Sequence, residues 1–302
     1  MNKQELTAMI AEILEKLPQE PAVKASDYKP LDPAPQPMET DYAPGDFVED
    51  VTKLDLRKLY LVEGAADPEG FRRLKEKTPA RLGSGRAGPR YQTLTMLRFR
   101  ADHAAAQDAV FSQVPEDYAQ KHQLIPVQTR CQDKDMYLTR PDLGRCFDEQ
   151  TQQAIKNRFP TAPKVLLVVG DGLSSAAILA NAADCMAAIR DGLKLQGIDP
   201  GKAIFVRYCR VGAGDALGDL TGCELVCMLV GERPGLVTDK SMSVYITYKP
   251  HTGIPESSRT VVSNIHDQGT PAVEAGAYVA ELIGRILQKK ASGVALHLEE
   301  TV

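Results

Sequence analysis

The residues best able to do chemistry lie in the last third of the chain, at the ends of short apolar runs. Phe205–Val211 reads FVRYCRV, Leu229–Gly235 reads LVGERPG and Ser263–Pro271 reads SNIHDQGTP. Each begins strand-like and ends in glycine, proline or charge, the pattern of the ligand-facing edge of an open α/β sheet. Glu232 directly follows one such run, where a carboxylate can accept amide N–H donors from a ligand's polar rim. Asp171 is placed in the same way after Val165–Val169. His266 lies in a run with the spacing DxHxxG, in which an acid orients an imidazole toward a metal. Asn264 stands in the acid's place, so His266 reads as a residue closing the loop before the last helix. Gly83–Gly88 matches GxGxxG, but no strand precedes it and Pro89 follows. It reads as a turn presenting Arg86 and Arg90 to phosphate, to a partner's carboxylates or to solvent. The sequence offers no nucleophile triad, P-loop or metal-ligand cluster, so no catalytic residue and no metal ligand is assigned.

The elements that must position these residues form an α/β pattern. Val165–Val169, Ala203–Tyr208, Leu225–Val230 and Ser243–Tyr248 read as strands, with Thr260–Ser263 as a short fifth. The all-apolar runs suit strands buried on both faces, as in a parallel sheet. A helix is expected from Ser174 to about Leu195. A last helix starts at Thr270 and Pro271, with Lys289 and Lys290 near its end and Gly293 closing it. The expectation for 159–302 is a Rossmann-like, doubly wound, mostly parallel sheet. Residues 48–158 read as a small helical subdomain, with Ile125–Cys131 as its one strand-like stretch.

Upstream, Leu6, Met9, Ile10, Ile13, Leu14 and Leu17 line one face of an amphipathic helix over 1–17. Seven prolines, at 18, 21, 30, 33, 35, 37 and 44, mark 18–47 as a linker. A short helix on such a tether is marginal alone and suits docking on a partner.

Composition excludes several classes. The 302 residues carry a formal charge of −4, with Lys and Arg scattered, against a nucleic-acid binder. The apolar runs are too short to cross a bilayer, and no secretory signal opens the chain. The six cysteines lack CxxC spacing and read as buried thiols in a reducing cytoplasm.

The runs SGRAGPR (Ser84–Arg90), DKDMYLTRPDLGR (Asp133–Arg145), GDGLSSAAI (Gly170–Ile178) and the three quoted above keep a shared order and spacing. Together they make the chain, from about Lys58 to Gly293, resemble the small subunit of ethanolamine ammonia-lyase. The resemblance implies a subunit of a carbon–nitrogen lyase that converts ethanolamine to acetaldehyde and ammonia with adenosylcobalamin. It implies a large subunit that carries substrate and most catalytic groups. It places Val211, Glu232 and Val261 on the cofactor, with the cofactor's own base left on cobalt. It places Arg86 and Arg90 near the subunit interface. The N-terminal helix looks like the peptide that addresses such enzymes to a shell protein of a bacterial microcompartment. Two positions depart from the family pattern: Val261 stands where Cys is common, and Cys209 where Gly is expected. Two other readings stay open: a flavodoxin-like domain for flavin or nucleotide, and a non-catalytic microcompartment adaptor.

Overall fold

The computed structural model describes residues 50–55 and 58–298. The helix expected at 1–17 and the linker at 18–47 lie outside the described residues.

Side-chain caps set the starts of four helices. Asp67 Oδ1 accepts the Gly70 N–H at 2.8 Å, and Pro68 opens α1 (Pro68–Glu76). A two-stranded ribbon, β1 (Arg86–Ala87) and β2 (Arg90–Tyr91), leads to α2 (Thr93–Phe111). Then come α3 (Tyr118–Lys121) and β3 (Leu124–Gln128). Asp133 and Asp148 cap α4 (Lys134–Thr139) and α5 (Glu149–Arg158), each accepting a backbone N–H at 2.7 Å. After β4 (Val165–Gly170), Ser174 caps α6 (Ser175–Leu195) through the Ala177 N–H. The chain continues through β5 (Ala203–Arg207), α7 (Ala213–Thr221), β6 (Leu225–Gly231), β7 (Met242–Tyr248) and β8 (Arg259–Ile265). It ends with α8 (Ala272–Lys289) and α9 (Val294–Leu298). The last long helix stops before Gly293, because Lys290 itself adopts the left-handed conformation at φ 53°.

The fold is mixed α/β around a six-stranded, mostly parallel sheet in the order β3-β5-β4-β6-β7-β8. The pairs β3/β5, β5/β4 and β4/β6 are parallel, whereas β6/β7 and β7/β8 are antiparallel. The strand-like stretch at Ile125–Cys131 is β3, and it extends the main sheet by pairing with β5. Nothing local announces that pairing, since its partner begins at Ala203.

Alternation along β4 divides the core. Val165, Leu167 and Val169 join the cluster under α6 and α8, while Leu166 and Val168 join the cluster under α5 and α7. All five are 0% exposed, and burying each such side chain is worth about 1.5–3 kcal/mol. At the antiparallel end the two faces differ. Val244 and Ile246 lie in the α6–α8 core, whereas on the other face Tyr245 is half-buried and Val261 is 47% exposed. That end of the second face is an open shelf. Among the described residues no helix is long and apolar enough to cross a membrane.

One ion pair ties α7 to the edge strand beside the shelf. Arg259 of β8 grips Asp215 through two bonds of 2.7 and 2.8 Å, and the side chains are only 4% and 10% exposed. Removing Asp215 leaves the buried guanidinium with only the exposed Glu256, 2.7 Å from its Nε, as a partner. We therefore expect Asp215→Asn to cost about 3–5 kcal/mol in urea unfolding, with Asp215→Leu combined with Arg259→Met costing far less. Equal losses in the two variants would contradict a desolvated pair.

Candidate functional site

The chemistry-bearing loops leave the carboxyl ends of β4, β5 and β6, where open α/β sheets bind ligands. Backbone hydrogen bonds knit these loops together. Asp171 N–H donates to Val206 O at 2.9 Å, Cys209 N–H to Asp171 O at 2.8 Å, and Leu173 N–H to Gly231 O at 3.1 Å. The Asp171 side chain turns inward and is 1% exposed. It accepts Ser175 Oγ at 2.6 Å and the Val114 N–H at 3.3 Å. Burial raises its pKa above the usual carboxylate value, against those hydrogen bonds and Lys134. Asp171 is thus a fastener of the strand end rather than a ligand-facing acid.

The run DKDMYLTRPDLGR frames the same edge. Lys134, 7% exposed, donates to Gly172 O at 3.1 Å, and burial lowers its pKa. Tyr137 Oη donates to Cys209 O at 3.1 Å. Arg210 returns the contact, donating to Tyr137 O at 2.8 Å with its guanidinium 4.2 Å from the Tyr137 ring centroid. Gly144 lies so close that a Cβ there would meet Arg210 Cγ at 2.8 Å. These contacts fix the turn in which Val211 stands, half-buried, just before α7. Sequence reasoning missed Lys134, Tyr137 and Arg210, because their partners are backbone carbonyls of residues distant in the chain.

The departure at Cys209 is accommodated. The strained residue is its neighbour Tyr208, at φ 56°, and Cys209 itself is not in the left-handed region. Its sulfur fills the space above Gly170, where a Cβ would meet it at 2.8 Å. Burial pushes this thiol far above its ordinary pKa.

Glu232 and Val261 meet through a residue that sequence reasoning did not single out. Tyr245 Oη donates to Glu232 Oε1 at 2.6 Å, and Tyr245 pairs in register with Val261. Burial and then the Glu232 carboxylate raise the phenol's pKa well above its ordinary value. The signal available in sequence was alternation, which puts Tyr245 on the face opposite Val244 and Ile246. Val211 stands two strand positions from Glu232, since β4 lies between β5 and β6. Beside Glu232 a cavity of about 380 Å³ is lined by Arg233, Ser243, Ser263 and Asn264. Ser243 is fully buried, and its Oγ has no partner among the described residues. A second cavity of about 440 Å³ shares Asn264 and includes His266. His266 closes its own loop: its ring Nδ1 accepts the Gln268 N–H at 3.2 Å, and its backbone N–H donates to Thr270 O at 3.2 Å. The GxGxxG run forms the exposed ribbon that carries Arg86 and Arg90. Among the described residues no three His, Cys, Asp or Glu side chains converge on a metal-sized centre.

Fold and site define an α/β protein offering an open, mixed polar and apolar surface at its strand ends. The model of the ethanolamine ammonia-lyase light chain matches residues 68–297. The ethanolamine ammonia-lyase small subunit of Clostridioides difficile is 60% identical over 249 residues, covering 82% of this chain and 85% of the relative. Those of Clostridium perfringens and Listeria monocytogenes are 52% and 53% identical, each covering 98% of this chain and 100% of the relative. The chain belongs to the ethanolamine ammonia-lyase light-chain, or small-subunit, family.

Tyr245→Phe removes a hydrogen bond to a charged acceptor, so we expect a loss of about 1.5–3 kcal/mol near neutral pH. The raised phenol pKa gives the sign of the pH effect. The contribution is complete below the unfolded value of about 10 and is lost as pH rises through the higher folded value. Denaturant midpoints of wild type and Tyr245→Phe should therefore converge in strong alkali. A constant gap from pH 7 to pH 12 would count against the pairing.

Proposed function

We propose that this chain is the small subunit of an adenosylcobalamin-dependent ethanolamine ammonia-lyase and holds part of the cobalamin through Val211, Glu232 and Val261. The large subunit carries substrate and most catalytic groups in this reading, and no residue of this chain is given a catalytic role. The observation that carries the proposal is the Glu232–Tyr245 pair beside the exposed Val261, within a chain of this family.

The donor set suits a corrin periphery. Cobalamin presents a broad apolar ring edged by primary amides, which need acceptors for their N–H groups. Tyr245 occupies one oxygen of Glu232 and holds the carboxylate in place, leaving the other oxygen for an amide. Val261 supplies apolar contact on the shelf, and Ser243 offers a buried hydroxyl still lacking a partner. Valine at 261 keeps any backbone or packing contact and forgoes a thiol contact. When bound, the cofactor supplies radical chemistry through its cobalt–carbon bond. This chain's part is to bind and orient.

Three parallel strands, β4, β5 and β6, with helices against both faces and loops at the carboxyl ends, support a Rossmann-like description of 159–302, preceded by a helical subdomain over 48–158 that lends β3 to the same sheet. The apolar spacing of Leu6, Met9, Ile10, Ile13, Leu14 and Leu17 supports an address helix for a microcompartment shell protein, with the enzyme cytoplasmic and enclosed.

Glu232→Ala, in complex with the large subunit, should weaken cobalamin binding by about 1–3 kcal/mol, read by absorbance titration. An unchanged dissociation constant would remove Glu232 from the cofactor surface. Deleting residues 1–20 should leave turnover nearly intact yet abolish encapsulation of a fused fluorescent reporter. Loss of most activity would place that segment in the working core instead.

A further inference from the structure

The loop that leaves β6 projects with little packing around it. Residues 232–241 run out from Glu232 and return to β7. The foot is closed by Glu232 N–H to Ser241 O and the tip by Gly235 N–H to Thr238 O, both at 3.0 Å. That tip stands between open spaces. Leu236 and Val237 border a cavity of about 340 Å³ that Arg81 and Asp102 also line. Val237 and Thr238 border the 440 Å³ cavity beside His266, and all three border the 380 Å³ cavity beside Glu232. Val237 is 58% exposed, and a Cβ at Gly235 would meet nothing within 4 Å. With so little burial, hydrogen bonds fix the position of this loop.

Those bonds divide the loop into two limbs. The returning limb is tied to α6: Ser174 Oγ donates to Asp239 O at 2.6 Å, and Asn181 Nδ2 to Lys240 O at 2.9 Å. The outgoing limb is held at Glu232 by Tyr245 and at Leu236 by Arg81, whose Nη2 donates to the Leu236 carbonyl at 2.8 Å. Arg81 belongs to the segment between α1 and β1. The same Nη2 donates to Asp102 Oδ2 of α2 at 2.6 Å. Arg98 grips Asp102 as well, at 3.0 Å, and donates to the carbonyls of Thr52 and Leu54 at 2.6 and 2.7 Å. These three side chains are only 16–20% exposed, which strengthens their charge-assisted bonds. Arg81 Nη1 is buried with no partner among the described residues. The Nη2 bonds and the Phe99 ring, 5.1 Å from the guanidinium, therefore place the group.

We infer that Arg81 is a positioning residue for the ligand surface. It holds the Leu236 carbonyl and so fixes Arg233, Gly235 and Leu236, which line the cavity beside Glu232. Tyr245 orients one carboxylate, and Arg81 orients the limb that carries it outward. The bonds running from residues 51–54 through Arg98 and Asp102 make the first part of the described chain a support for the strand-end site. The inference rests on the cofactor reading above and names the side chain that preorganises its loop.

Two full-length variants, each assembled with the large subunit, test this. Arg81→Met keeps the apolar stem and loses every donor, whereas Arg81→Lys keeps the charge without the planar fork. Hydrogen–deuterium exchange read by mass spectrometry follows the loop before cofactor is added, and absorbance titration then follows cobalamin binding. For Arg81→Met we expect amides in 232–238 to exchange at least tenfold faster, with exchange in β4, β5 and β6 unchanged and cobalamin bound at least threefold more weakly. Arg81→Lys should show smaller changes in the same direction. Unchanged exchange at 232–238 contradicts the tether, whatever the affinity does. Faster exchange with unchanged affinity contradicts the positioning role. Where Arg81→Met fails to assemble or exchanges faster throughout, Arg81→Lys decides by the same two criteria. Glu232→Ala, titrated alongside, separates this role from the reading beneath it. Weakened binding by Glu232→Ala beside unchanged binding by the Arg81 variants overturns this role alone. Unchanged binding by Glu232→Ala overturns the cofactor reading, and this role falls with it.

Discussion

The arrangement depends on how the carboxyl end of β4 is closed. Its neighbours β5 and β6 end beside it, and backbone bonds from Asp171, Leu173 and Cys209 weave the three exits together. The carboxyl of Asp171 then fastens the start of α6 and the chain before α3, while Lys134 caps the carbonyl of Gly172. A buried acid and a buried lysine are costly unless satisfied, so this network tolerates few alternatives. Because it is closed, the loops beyond it are presented as a rigid rim. Rigidity at such a rim lets a subunit orient a large ligand without ordering itself on binding.

The two faces of the sheet divide the work. One face is filled by α6 and α8 and holds the larger core. On the other, α5 and α7 contribute a smaller core, and Tyr245 and Val261 are left partly or largely open. The Arg259–Asp215 pair pins α7 beside that opening. Glu232 reaches onto the shelf from the end of β6 and is held there by Tyr245. A surface of this kind covers one side of a ligand, which fits a protein that completes its site with another chain.

Much of this was legible in the sequence because it is written locally. The runs at 165–169, 203–208, 225–230 and 243–248 are apolar and bounded by breakers, and all four are strands. Asp67 and Pro68 mark a helix start by their types alone. What was not legible is non-local. The pairing of β3 with β5 spans the whole of β4 and α6. Asp171 and Glu232 look alike as acids after strands, yet one is buried in a hydrogen-bonded socket and the other faces a groove. The Tyr245–Glu232 bond depends on an antiparallel register, and that strand's pairing with β8 is irregular between Met242 and Val244. Cys209 in place of glycine suggested a backbone change, whereas the unusual conformation belongs to Tyr208.

The central claim is that Glu232, held by Tyr245, meets the edge of the corrin. A cryo-electron microscopy structure of the chain with its large subunit and cobalamin tests it most directly. The account predicts a corrin amide nitrogen about 2.7–3.2 Å from the Glu232 oxygen that Tyr245 leaves open, with Val261 under the ring edge. A corrin bound elsewhere, with Glu232 facing solvent in the assembled complex, would contradict it.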